Sequence, residues 1–175
     1  MLETDSELEA LQALLDRSRA RATDHLRGII HGERTLAARD IAALMQKMKV
    51  ISVATVTSRG EPRISAVDGH FLHATWTWST DGSAAKARHL EARRAVSVAH
   101  VDNEELAVFA HGNAERLRTS DPLWDETIEH WTAHYGSSPR EWGDDVRLYR
   151  LVPSWMVGYA FDRERLLANR GIETS

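Results

Sequence analysis

Val50-Ile51-Ser52-Val53-Ala54-Thr55-Val56 is where the character of the chain changes. The run is short and β-branched, and Thr57-Ser58-Arg59-Gly60 after it is turn chemistry, so it reads as a strand. Working outward, Arg63 to Asp68 predicts a second strand that ends at the turn-prone Asp68-Gly69. Phe71 to Ser79 predicts a third, in which Leu72, Ala74, Trp76 and Trp78 alternate with His73, Thr75, Thr77 and Ser79 to give one core face and one polar face. Ala95 to Val101 and Leu106 to Leu117 form a hairpin across Asp102-Asn103-Glu104, with Gly112 marking a bulge or a close backbone approach. Arg147 to Val152 and Trp155 to Phe161 are the last strands, kinked apart at Pro153. Connections this short argue for antiparallel pairing, because a parallel crossover needs a dozen residues or more. About six short strands with few helices escape unpaired edges by closing into a barrel.

Toward the N-terminus the pattern is helical. Ser6 followed by Glu9 has capping-box spacing, and Leu8, Leu11, Leu14 and Leu15 recur on one face. Thr35 to Met48 predicts a second helix with Leu36, Ile41, Leu44, Met45 and Met48 as its apolar set, and Gly28 and Gly32 suggest a break between the two. These helices are expected to cover the barrel: they could lid a groove, extend an interface or shield a strand edge. Asp121-Pro122 is expected to open a further helix, with Asp as N-cap and Pro at the first helical position.

Composition narrows the chemistry. The chain has 175 residues, 42% of them hydrophobic and 27% charged, in the range of ordinary globular proteins. It has no cysteine, which excludes thiolate nucleophiles, disulfides and cysteine-ligated clusters. The net charge is -4, but Glu3, Asp5, Glu7 and Glu9 account for it, so no global field marks a nucleic-acid partner. Neither a signal sequence nor an apolar run of membrane length is evident, and the cytoplasm is the expected compartment.

The stretch richest in chemistry is Trp78-Ser79-Thr80-Asp81-Gly82-Ser83-Ala84-Ala85-Lys86-Ala87-Arg88-His89-Leu90. It leaves a strand, passes two hydroxyl residues, turns at Asp-Gly and enters a helix expected to be capped by Ser83 or Asp81. The first helical turn presents free N–H groups and a partial positive charge, so a cation there is locally disfavoured. Lys86, one of only three lysines, stands in that turn. Lysine beside free N–H groups and hydroxyls is a phosphate-binding combination. Between Ser83 and Arg94, four basic residues face the single acid Glu91.

Together these segments resemble the pyridoxamine-phosphate-oxidase-like split-barrel family of FMN and deazaflavin proteins. The matching residues are Ala54-Thr55-Val56, Gly60-Glu61-Pro62-Arg63-Ile64-Ser65-Ala66-Val67, Ser79, Ala85-Lys86-Ala87-Arg88-His89-Leu90, Val96-Ser97-Val98 and Gly112-Asn113-Ala114-Glu115, with Val152-Pro153 before the last strand. The resemblance implies a mainly β (α+β) fold: a six-stranded antiparallel split β-barrel over residues 49–162, with an N-terminal helical extension at 1–48, short connecting helices and a C-terminal tail at 163–175. It also implies a homodimer with FMN or coenzyme F-420 in a groove at the subunit interface. Ser79, Thr80 and Lys86 fall at positions that hold the cofactor phosphate, Arg88 is a further partner, and Ser65 lies on the strand beside the ring. The Ala-Lys-x-Arg-x-Leu spacing is closer to the deazaflavin branch, although Ala84 stands where that branch commonly has an arginine. The arginine-rich C-terminal segment of true pyridoxamine phosphate oxidases is missing, so oxidation of pyridoxamine phosphate is not expected.

Other polar groups have plainer readings. Glu126, His130 and His134 share one face of a helix, expected to be its wet face because Trp124, Ile128, Trp131 and Tyr135 line the other. No metal is expected. His70 and His73 are three apart on one predicted strand and so point to opposite faces. Trp76 and Trp78 are expected in the core, and Trp155 as an aromatic wall to the pocket. The function expected is hydride transfer between the cofactor and a small unsaturated or quinone-like substrate, with no catalytic side chain singled out. The alternative is a non-catalytic flavin, deazaflavin or haem carrier on the same barrel.

Overall fold

Six strands, joined by three hairpin connections and two longer ones that carry helices, make up the centre of the computed structural model, which describes residues 2–172. They are β1 (Lys49–Val56), β2 (Pro62–Leu72), β3 (Thr75–Asp81), β4 (Ala95–Asp102), β5 (Leu106–Arg116) and β6 (Val146–Ala160). All pair antiparallel, and they close into a barrel in the order β1-β2-β3-β6-β5-β4. The fold class is the one expected. Two seams are short: β2 and β3 share four residue pairs and β1 and β4 share three, whereas β5 and β6 share eleven. Trp76, Trp78, Ile51, Val53, Val98, Val108, Ala110 and Met156 fill the interior, each 1% exposed or less.

The predicted strand from Phe71 to Ser79 is interrupted. His73 and Ala74 both have positive φ, 52° and 60°, and Leu72 pairs with Thr75 across them. This two-residue hairpin loop uses the backbone that normally calls for Asn-Gly or Gly-Gly, so nothing in the sequence announces it. Asp68-Gly69 is no turn and lies inside β2, with Gly69 opposite Trp78. Pro153 likewise does not divide the last strand. β6 runs on through it, and the irregularity beside it is a bulge: His111 pairs with Trp155 and Gly112 with Pro153, which leaves Ser154 of β6 without a partner on β5. Gly112 is required there, because a Cβ would overlap the Val152 carbonyl oxygen and lie 2.9 Å from Pro153 Cα. The close approach read from this glycine is present, and the bulge lies opposite it, at Ser154 of the partner strand.

Six α-helices complete the described residues: α1 (Asp5–Ala20), α2 (Asp24–Ile29), α3 (Ala38–Leu44), α4 (Ala85–Ala92), α5 (Trp124–Tyr135) and α6 (Arg163–Asn169). The capping box of α1 is Thr4 with Glu7, two residues before the expected pair, since Thr4 Oγ1 accepts from the Glu7 amide and Glu7 accepts from the Thr4 amide. Leu8, Leu11, Leu14 and Leu15 are buried as their spacing predicted, at about 2 kcal/mol per side chain. The second predicted helix is shorter than expected, spanning Ala38–Leu44, and Gly28 lies inside α2. Trp124 starts α5, with Asp121 holding the preceding turn through the Leu123 amide instead of capping the helix. Residues 163–169 form α6, whose Leu166 and Leu167 join the same core as α1.

What the N-terminal segment covers follows from strand lengths. β3 pairs only with Val146–Arg150 of the fifteen-residue β6, so the rest of that edge lacks a strand. Three substitutes satisfy it. Thr75 Oγ1 donates to the Leu151 carbonyl at 2.6 Å, Ser18 Oγ accepts from the Met156 amide at 2.9 Å, and Thr35 bridges to Tyr159. Of the three roles open to the N-terminal helices, shielding a barrel edge is one they perform.

Candidate functional site

The turn from β3 into α4 is built from backbone constraints. Asp81 Oδ1 accepts from the Ser83 amide at 2.7 Å and from the Ser83 hydroxyl, and these two bonds hold its carboxyl below the usual range. Gly82 donates to the Asp145 carbonyl at 2.7 Å, and a Cβ on it would collide with the Asp145 carboxylate. Asp145 in turn receives Arg147 through Nε and Nη2, while Arg147 Nη1 donates to Glu91 of α4. The turn is thereby clamped between α4 and β6.

The consequence appears at the start of the helix. Asp81 and Ser83 are occupied with each other, so neither caps it. Ala84 is the N-cap and makes no side-chain hydrogen bond, which leaves the Ala85 and Lys86 amides without a capping acceptor. Lys86 is half-buried beside them and has no ion-pair partner among the described residues. An uncapped helix start with a lysine fits a phosphate, the group the sequence assigned to it. Arg88 turns back to donate to the Ser83 carbonyl, so its guanidinium supports the turn.

The remaining sequence-predicted residues are spread more widely. Ser79 lies opposite Leu148, on the side where Leu117 and Ile128 pack. Thr80 lies opposite Arg147 and points to the other face, because adjacent strand residues alternate. The two hydroxyls are therefore not brought to one side. Ser65 is opposite Val53, which is fully buried, on the interior side of β2. Trp155 stacks on His111 with ring centroids 4.7 Å apart and planes 16° from parallel.

His111 belongs to a groove of about 480 Å³ on the outer face of β1, β4 and β5, walled by Ala54, Thr55, Ala95, Ser97, Gly112 and Asn113 among others. Small side chains let a ligand lie close to the backbone, and the volume is within the range of ligand pockets, roughly 300–1,000 Å³. His111 Nδ1 pairs with Ser97 Oγ at 2.8 Å, which leaves Nε2 free of partners among the described residues. Sequence reasoning missed His111. Its one signal was its position next to the bulge glycine.

The Glu126, His130 and His134 face is not simply wet, which corrects the sequence reading. Asp68 Oδ2 can only accept, so the Tyr135 hydroxyl donates to it at 3.1 Å. The Tyr135 oxygen then accepts from His70 Nε2 at 3.1 Å, and His70 Nδ1 accepts from His130 Nε2 at 3.1 Å. His70 is 2% exposed, and burial followed by its histidine neighbours pushes its pKa down to about 3. Glu126 reaches across to His73, 3.2 Å from Nε2, and Glu7 of α1 holds Nδ1 at 3.0 Å. The polar face of α5 thus docks the helix on the β2–β3 hairpin. Among the described residues no cluster of His, Asp and Glu has metal-site geometry, and no helix is long and apolar enough to cross a membrane.

A closed antiparallel barrel of six strands, with a short helix starting from an uncapped turn that carries a lysine, defines the split-barrel class. The family model described as pyridoxamine 5'-phosphate oxidase matches residues 37–158, and the chain belongs to that family. Similar solved structures include HutZ, the heme storage protein of Vibrio cholerae, at 21% identity and TM-score 0.60, over 72% of this chain and 96% of that one. An F420 reductase is similar at 19% identity and TM-score 0.52, over 66% and 94% of the two chains. A protein of unknown function from Agrobacterium tumefaciens aligns at 20% identity and TM-score 0.57; it covers 69% of this chain, which spans only 55% of that longer one. No curated protein matches the chain.

Proposed function

We propose that this protein is a flavin- or deazaflavin-dependent oxidoreductase that moves a hydride between FMN or coenzyme F-420 and a small unsaturated or quinone-like substrate. The observation that carries the reading is the uncapped start of α4: Lys86 and two free amides form a phosphate-type site on a clamped turn. When bound, the isoalloxazine or deazaflavin ring supplies the hydride chemistry, and the protein supplies binding and orientation. Lys86 would neutralise the phosphate, with Thr80 and Ser79 at the strand end before it, and Ser65 beside the ring. Clamping of the turn by Asp145 and Arg147 fixes those amides in advance, so less ordering accompanies binding. Family membership and the similarity to an F420 reductase support this reading. The active form in this proposal is a cytoplasmic homodimer with the cofactor at its interface.

The visible spectrum of freshly purified protein, with mass spectrometry of any released ligand and titration with FMN and F-420, tests it. Lys86→Ala should weaken cofactor binding roughly tenfold or more at low salt, and the loss should shrink at high salt as the phosphate contact is screened. A colourless protein that binds neither cofactor would sink the reading.

One observation favours a second, non-catalytic reading. His111 presents a free Nε2 to an open groove and is braced by Ser97 and Trp155, a suitable arrangement for a haem iron ligand. The similarity to a heme storage protein supports it. A Soret band on haem titration that His111→Ala removes, without cofactor turnover, would favour this carrier role.

A further inference from the structure

At the other end of α4 the barrel opens into a cavity of about 310 Å³, lined by Leu90, Glu91, Arg94, Ala114, Glu115, Arg116, Arg118 and Tyr149. None of Ser65, Ser79, Thr80 or Lys86 borders it. Two facts about this cavity require explanation. The first is Tyr149, which is 3% exposed and stacks on Trp78; the Arg147 guanidinium approaches its oxygen as a donor, but the hydroxyl proton has no acceptor among the described residues. A buried hydroxyl proton without an acceptor is destabilising, so it points to something that completes it. Burial first of all pushes the Tyr149 pKa up, which keeps this hydroxyl a donor.

The second is charge. The cavity carries three arginines and two glutamates, but both glutamates are already engaged by arginines outside the lining. Glu91 accepts from Arg147, and Glu115 accepts from Arg150 at 3.1 and 3.3 Å. Arg116 keeps only a loose contact with Asp145, at 3.6 Å, and Arg94 and Arg118 have no acidic partner among the described residues. The lining is therefore net positive around a buried donor.

We propose that this mouth is a second anion site, built for the phosphate of a small phosphate monoester, in which Arg94, Arg116 and Arg118 bind the oxyanion and Tyr149 donates to one of its oxygens. A tetrahedral anion suits this donor set better than a carboxylate, because three guanidinium groups and a hydroxyl need several acceptor oxygens spread in space. The cavity is larger than a phosphate, and Leu90, Ala114 and the Tyr149 ring give the rest of the ligand an apolar wall. The site is separate from the one proposed for the cofactor, and either could exist without the other.

Isothermal titration of the full chain with inorganic phosphate, at ionic strength held constant with chloride, tests the proposal. Wild type and Lys86→Ala should both show saturable binding at this site with similar affinity. The double variant Arg94→Gln/Arg118→Gln alters exposed side chains, should keep the fold by circular dichroism, and should bind at least tenfold more weakly. Tyr149→Phe should also bind more weakly, with the fold kept by circular dichroism, since it removes the hydroxyl proton that would meet the anion. Absence of saturable binding, equal affinity in the double variant, or loss of all binding in Lys86→Ala would each overturn the proposal.

Discussion

His70 shows how one buried side chain ties pH to stability. It is neutral in the fold, with a pKa near 3, and Asp68, Tyr135, His130 and His134 are the titratable groups around it. In the unfolded chain it titrates near 6.5. Above that pH neither state takes up a proton, so the contribution is complete. As pH falls below 6.5 the unfolded chain binds a proton the folded one refuses, and stability declines by up to about 1.4 kcal/mol per pH unit until pH approaches 3. His130, also lowered by burial, steepens the decline. Urea denaturation at pH 7, 5.5 and 4.5 should show it, and His70→Asn should be weaker at pH 7 but flatter with pH. An equally steep decline in that variant would place the effect elsewhere.

Among the elements, β6 depends most on residues far away in sequence. Ser18 is 2% exposed; it donates to the Leu14 carbonyl at 2.7 Å and accepts from the Met156 amide, so it pins α1 to the uncovered edge. Ser18→Ala should cost about 1–3 kcal/mol in a chemical denaturation series, because it orphans a buried amide. Gly112→Ala should cost at least as much, since the Val152 carbonyl cannot move without opening the β5–β6 ladder. A neutral Gly112→Ala would show that the bulge tolerates a side chain. The same elements show what could be read from sequence. Gly112 was legible because only glycine fits a backbone that close, and the leucines of α1 because their spacing is helical. The His73-Ala74 turn was not, because positive φ at two non-glycine residues leaves no compositional trace and the alternation continues straight through it. At the site, Lys86 stood out by breaking a local rule. Asp145, which seats the turn, lies 64 residues beyond Asp81 and is joined to it only by β3–β6 pairing.

At the scale of the whole molecule, Val50, Ile64 and Val101 are 60%, 75% and 55% exposed, and strand register puts them on one outer face with Phe109. An apolar patch of this kind, beside the groove, is the surface on which the proposed dimer would form. Sedimentation should find a dimer for wild type and a folded monomer for Ile64→Glu, and a wild-type monomer at high concentration would remove the dimer from the proposal. The pin between Ser18 and Met156 spans 138 residues, and it joins the first helix of the chain to its last strand. Contacts so distant in sequence slow folding, because most of the chain must be ordered before they form. During synthesis α1 can at first meet only α3, which follows it closely, while β6, on which it also packs, emerges much later. Pulse-labelled hydrogen exchange during refolding should protect the α1 amides no earlier than that of Met156. The helix that guards the finished barrel thus waits for nearly the whole chain before its leucines are fully covered.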